Sequence, residues 1–415
     1  MQDDLRKRGI IDPDDPRYKR KERPVLRKKR NIKAERELRA QKARKNRNRL
    51  IIFGIIFIIV VLLIRFGDLF TVSNIKYTFD NLGSSIRGEN ISSIDFTYEP
   101  DNKYEMYKGG LVIGSSEGVR IRRPNKGDAY VASRTFSDIQ LEKNDRYVIA
   151  YDYLGQGYVV ISGTDVESSQ NVNGTILSAR LSRGGGYSIL TKITGYRGVI
   201  TDYGSNHEII YQYYVAKDNI IDLQLSPNNR RMAAVYIDTE SENLKGGVSF
   251  FDITKDEPTA RYEIDGEIPL RVEYKENNLI AVLHSGGFLF FRSNGRQVGE
   301  YSFEGNIPYL ADLSQSGYAC AVIGSEMSGD NGELVIVNNS GDLRGSYKLD
   351  ASAKKLLTNN SSVFVYTDDN RLIVVDWRGN LQSETQLDSN TRDVLMDESN
   401  NVYALGLSHV EKIEY

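Results

Sequence analysis

Beyond Phe70 the chain alternates: short runs of Val, Ile, Tyr and Phe are broken every few residues by Gly, Asn, Asp and Ser. Alternation over four to eight residues between turn-forming clusters predicts strands and tight turns, not helices. The runs fall into a four-part cycle. One copy reads IDLQL (220–224), a polar turn SPNNRR (226–231), MAAVYID (232–238), a connection of variable length, VSFFDI (248–253) and ARYEID (260–265). Three stretches repeat the second half of the cycle: FLFFRSNGRQVGEYSFE, LVIVNNSGDLRGSYKLD and LIVVDWRGNLQSETQLD. Their glycines, Gly295, Gly341 and Gly379, sit where a hairpin turn needs a positive φ.

Cycle starts are expected near Ser93, Ile139, Ile176, Ile220, Arg271, Ala311, Lys355 and Val394. Four strands in roughly 40–45 residues is the period of a β-propeller blade. The expected fold is therefore all-β: an eight-bladed propeller over residues 71–415, with a seven-bladed ring and a stalk at 71–100 as the alternative. NVYALGL (401–407) and HVEKIEY (409–415) read as only the second and third strands of a last blade. The missing strand is expected in VSNIKYTF (72–79), which would close the ring and remove two open edges.

The opposite pattern precedes the repeats. LIIFGIIFIIVVLLI (50–64) is apolar without a break, and through Phe70 it is long enough for one transmembrane helix. Residues 1–49 hold 20 Lys/Arg against 8 Asp/Glu, whereas the remainder is acidic and the whole chain nets −2. Lys42, Arg44, Lys45, Arg47 and Arg49 crowd the N-terminal flank of the apolar run. The positive-inside rule then puts a tail (1–49) in the cytoplasm, an anchor at 50–70, and 71–415 outside the membrane. The basic, proline-containing stretch 16–30 cannot bury a core and is expected to be disordered. The tail's charge suits anionic lipid headgroups. Nucleic acid is disfavoured as a partner, because no aromatic residue beyond Tyr18 interleaves the basic residues.

These features resemble an uncharacterised family of Gram-positive single-pass membrane proteins with a C-terminal propeller of the WD-repeat and quinoprotein-like type. The resemblance lies in the anchor, GGLVIGSSEGVRIRR (109–123), LQLSPNNRRMAAVY (223–236) and VYALGLSHVEKIEY (402–415). It implies fold and topology and brings no activity or site residues. Trp377 is the only tryptophan, so the paired WD dipeptides and the tryptophan-rich quinoprotein motifs are missing, and no quinone or other cofactor is expected.

Little else in the sequence carries chemistry. His207, His284 and His409 fall on different blades and lack metal-ligand spacing. Cys320, in GYACAVIG, reads as core. Gly184–Gly186 occupies the turn that SPNN fills one blade later and has no P-loop lysine after it. The expectation is a non-enzyme: an extracytoplasmic module that binds or scaffolds a protein or cell-wall partner through loops on a rigid ring. The contact candidates are Asp238, Glu240 and Glu242 in DTESEN, Glu326 and Asp330 in SEMSGDNGE, and Tyr211, Tyr213 and Tyr214 in YQYYVAK. Weak Ca²⁺ binding by the first acidic loop is a secondary reading. The competing functions are an enzyme acting on wall glycan or peptide through carboxylates pooled at the ring's mouth, and a transmembrane relay through the basic tail.

Overall fold

A computed structural model describes residues 93–124, 127–240, 245–325 and 332–415. The tail, the apolar run, VSNIKYTF, and the acidic residues Glu242, Glu326 and Asp330 lie outside the described residues. Within them all regular elements are strands, and no helix is long and apolar enough to cross a membrane.

Thirty-two strands, β1 to β32, form eight four-stranded antiparallel sheets. Seven sheets are built from consecutive strands. Their innermost members are β2 (Lys103–Tyr107), β6 (Ile139–Lys143), β10 (Thr175–Leu181), β14 (Asn219–Leu225), β18 (Pro269–Glu276), β22 (Ile307–Asp312) and β26 (Ala353–Thr358). The eighth sheet takes β30 (Asp393–Met396), β31 (Val402–Leu405) and β32 (His409–Lys412) from the end of the chain and β1 (Ser93–Asp95) from its beginning. First strands of neighbouring blades adjoin from β2 to β18 and from β22 to β30, the fifth and sixth blades share a hydrophobic cluster, and β2 also meets β30, so the ring is closed.

Two expectations need correction here. The closing strand is Ser93–Asp95, not 72–79: Ile94 pairs with Val410 and is buried beside Leu405 and Tyr403. Phe96 N and Tyr98 N extend the pairing onto Ser408 O and Leu407 O. Ser93 therefore belongs to the last blade, and the first blade begins at Lys103. The eight-bladed count stands, and the seven-bladed alternative does not.

The core lies between blades. Each hydrophobic cluster joins facing sheets, as where Val363, Val365 and Ile373 of the seventh blade pack on Cys320, Val322 and Ile336 of the sixth. The repeated glycines serve this packing twice over. Gly295, Gly341 and Gly379 have φ of 85°, 83° and 84° and turn the hairpins. Each hairpin also leans on the outer strand of the preceding blade. A Cβ on Gly299 would lie 2.5 Å from the Ser340 carbonyl carbon, and one on Gly345 would lie 2.2 Å from that of Arg378. The corresponding position in the seventh blade is Ser383. The eighth blade presents no such hairpin there, because its outer strand comes from the other end of the chain.

The ring has two rims. One carries the hairpins joining first to second and third to fourth strands; the other carries the second-to-third hairpins and the crossovers to the next blade. We call these the hairpin rim and the crossover rim. Strand β1 runs from the former to the latter, with Ser93 toward the hairpin rim and Asp95 toward the crossover rim.

Candidate functional site: the channel cluster and the crossover rim

First strands line the axis of a propeller, and here they carry charged residues, among them Glu142, Arg180, Asp222 and Glu273. Four consecutive blades bring these residues together. Arg180 Nε lies 3.6 Å from Glu142 Oε1 and 3.6 Å from Asp222 Oδ1, while its Nη2 donates to Glu273 Oε2 at 3.0 Å. The same guanidinium donates to Gln224 Oε1 at 3.2–3.3 Å. Burial opposes the charge on Arg180, but Asp222, Glu142 and Glu273 outweigh it and raise its pKa, keeping it a cation. Burial pushes the Glu142 carboxyl up, although Arg180 pulls the other way.

The carboxylates have second partners. Leu181 N donates to Glu142 Oε1 at 3.0 Å, and Val272 N donates to Asp222 Oδ2 at 3.0 Å. Both bonds cross to another blade. The pattern continues around the ring. Lys275, fully buried and with its ammonium pushed down to about 8 by burial, donates to Leu313 O at 2.5 Å and Tyr318 O at 2.6 Å. Thr358 Oγ1 donates to Asp312 Oδ2 at 2.9 Å, and Lys355 Nζ meets Asp393 Oδ2 at 2.6 Å. Lys143 Nζ donates to Met106 O and to Met396 O, joining the first, second and eighth blades. Every junction between neighbouring blades is thus crossed near the axis by a polar side chain. A buried charge that lost its partner would be costly, which ties the blades into one register.

This arrangement bears on the carboxylate-enzyme reading. Three acids do converge in the funnel, but on an arginine and on backbone N–H groups. Glycoside hydrolysis needs one acid free to protonate a leaving group and a second facing it across the scissile bond. Here Glu142, Asp222 and Glu273 accept bonds that join blades.

The sequence-nominated residues lie elsewhere. Asp238 ends a strand at the crossover rim, and its Oδ1 accepts the N–H of Glu240 at 2.9 Å. Glu240 is exposed and forms an ion pair with Arg197 of the neighbouring blade at 3.4 Å. Among the described residues no group of three or more His, Cys, Asp or Glu is placed to hold a metal ion. Strand alternation divides the tyrosines. Tyr211 is buried, Tyr213 is half-buried with its ring 4.9 Å from that of Phe251, and Tyr214 is exposed, 5.0 Å from the ring of Tyr196. The structure thus leaves Tyr214, not Tyr211, as a ring open to a partner.

The histidines are scattered. His207 sits in a tight turn at φ 63° against Tyr147 and Tyr187, His284 is buried at a strand end, and His409 is exposed beside Glu411. Cys320 is fully buried, which raises its thiol pKa well above the usual value. Gly184–Gly186 form the expected turn. A Cβ on Gly184 would lie 1.7 Å from Pro227 O in the matching turn of the next blade, so the triplet serves packing.

Fold and lining together define the class: an eight-bladed β-propeller with a charge-stitched axis. The chain belongs to a family of unknown function (DUF5711), which it matches over residues 86–414. A comparison with curated proteins gives no match. Among solved structures, the C-terminal WD40 domain of Sif2 is similar at a TM-score of 0.56 and 11% identity, covering 79% of this chain and 100% of that one. Sqt1 of Saccharomyces cerevisiae follows at 0.55 and 10% identity, covering 78% and 100%. The computationally designed Ika8 protein gives 0.56 and 11% identity over 77% and 98%. At these identities the likeness concerns the fold.

Proposed function

We propose that the protein is a membrane-anchored binding or scaffolding module of a Gram-positive bacterium. In this reading residues 1–49 stay in the cytoplasm against anionic headgroups and 50–70 span the bilayer. The propeller stands outside, presenting its rim to a protein or cell-wall partner. One observation carries the binding role: the polar side chains along the axis bond across blades, whereas the crossover rim presents exposed side chains such as Tyr214, Glu240 and Leu270 at the surface of a rigid ring. Loops on a rigid scaffold are where binding residues concentrate.

A second reading, an enzyme acting on wall glycan or peptide, draws on the convergence of Glu142, Asp222 and Glu273 and on the raised pKa of Glu142. Photo-crosslinking separates the two. Probes replacing Tyr214, Glu240 and Leu270 in the full-length protein would be activated in native membranes. One recurrent protein captured by them supports the scaffold, captured glycan supports the wall reading, and no capture from an externally exposed protein contradicts both.

A further inference from the structure

The two rims differ in charge. Among described residues, the connections of the crossover rim hold twelve acidic and four basic side chains, whereas those of the hairpin rim hold seven acidic and eight basic. The rims also differ in exposed apolar surface. On the hairpin rim the exposed large apolar residues are Val166, Ile209, Leu343 and Leu381, each at the outer edge of a blade, and Tyr415. On the crossover rim they reach the axis.

Strand irregularity explains how. Five consecutive first strands carry a β-bulge near their start, between Ile176 and Ser178, Ile220 and Asp222, Pro269 and Arg271, Pro308 and Leu310, and Ala353 and Lys355. A bulge leaves one residue unpaired and re-aims its side chain. In the fourth and fifth blades that residue is aliphatic and exposed: Ile221 at 41% and Leu270 at 38%. Ile268, in the crossover into the fifth blade, and Ile307, at the start of the sixth blade's first strand, are each 38% exposed. Glu267 and Glu304 lie in the crossovers that lead to Leu270 and Ile307, while the crossover that leads to Ile221 carries Lys217 and Asp218, the latter paired with Arg261. Three adjacent blades therefore set four aliphatic side chains among carboxylates at one mouth of the ring.

We propose that this sector of the crossover rim, over the fourth to sixth blades, docks a cationic protein segment that carries aliphatic side chains. The proposal rests on the binding-module reading and names the chemistry of its partner. Charge complementarity selects the occupant: lysines or arginines meet the acidic crossovers while aliphatic side chains cover Ile221, Ile268, Leu270 and Ile307. An anionic wall polymer or lipid surface would be repelled by the same field.

The test uses the full-length protein in zwitterionic lipid nanodiscs and a short fluorescent peptide of alternating lysine and leucine, with a glutamate–leucine peptide of equal length as its counterpart. The lysine peptide should bind saturably, and the glutamate peptide should not. Raising salt from about 0.05 M to about 0.5 M should weaken binding roughly tenfold as screening shortens. The Ile221→Ser/Leu270→Ser variant should lose roughly another tenfold through lost apolar contact, with its unfolding temperature unchanged. Equal binding of the two peptides, no binding of either, or binding undiminished in the double variant would overturn the proposal. A probe at Arg296 on the hairpin rim keeps the two levels apart. A protein captured there but not at Leu270 would overturn this rim assignment and leave the scaffold reading in place. Silence at both positions in native membranes would remove the scaffold reading as well.

Discussion

The axis and the crossover rim use the same residue types to opposite ends. At the axis, Glu142, Asp222 and Glu273 surround one guanidinium, and Glu142 and Asp222 also accept backbone bonds from neighbouring blades. At the rim, Glu304 is exposed and Glu267 is half-buried, accepting a bond from Ser285 Oγ, in the crossovers that lead to the exposed Leu270 and Ile307. Desolvation separates the roles. Buried charges must be satisfied internally and so become structural, while exposed ones keep their field for something outside the molecule. In a propeller without a catalytic motif, the acids that converge most closely belong to the architecture.

Substitutions at the axis should show the largest effects. Arg180→Met would strand three carboxylates in a buried site and should cost about 3–5 kcal/mol in denaturant unfolding. A loss near zero would mean that water reaches the channel and that the cluster is free to act on a ligand.

Blade-level burial comes next, through pH. Asp202 is fully buried, accepts a hydrogen bond from Ser188 Oγ at 2.5 Å, and has its pKa pushed up by burial to about 7 from 3.8. Its folded pKa lies above the unfolded value, so its contribution is complete below about pH 4 and is lost as pH rises through about 7. Asp202→Asn keeps an acceptor for Ser188 and removes the ionisation. The variant should gain up to about 4 kcal/mol relative to wild type above pH 8 and show a flatter stability profile in thermal melts across pH. An unchanged profile would refute the dry environment assigned to this carboxyl.

Packing between neighbouring hairpins should give a smaller effect. Gly345→Val drives a side chain into the Arg378 backbone and should cost about 1–3 kcal/mol. Ser383→Val occupies the matching half-buried place where no hairpin follows, and the loss should stay below about 1 kcal/mol. Equal losses at the two positions would contradict the closure by β1. The smallest stability effects belong to the rim, where Leu270→Ser and Glu304→Gln should each stay within about 0.5 kcal/mol in the same assay.

Much of the ring was legible because its signals are local and repeated. Alternating runs and hairpin glycines mark seven of the eight first strands, from Ile139 to Val394, close to where the structure has them. The closing strand was not legible. Three residues, Ser93–Asp95, are a weaker signal than the longer, more β-prone VSNIKYTF, and what decides the pairing is the burial of Ile94 against Val410 at the other end of the chain. The axis cluster left only a faint trace. Glu142, Arg180, Asp222 and Glu273 are far apart in sequence, and their shared feature is a charged residue in the middle or second half of a first strand. Reading the first strands against one another, rather than searching for known motifs, would have grouped them. The bulges at Ile221 and Leu270 leave no mark in composition, because an extra residue in a strand becomes visible only once the partner register is known.

The most direct test of this division of labour measures stability and partner capture in parallel for one axis variant and one rim variant of the full-length protein. Arg180→Met should lower the unfolding free energy and, wherever it remains folded, still capture the partner through a probe at Glu304. Leu270→Ser should melt like wild type and lose that capture. An Arg180→Met protein that keeps its stability but loses the partner, beside a Leu270→Ser protein that retains it, would place function in the channel and contradict the account.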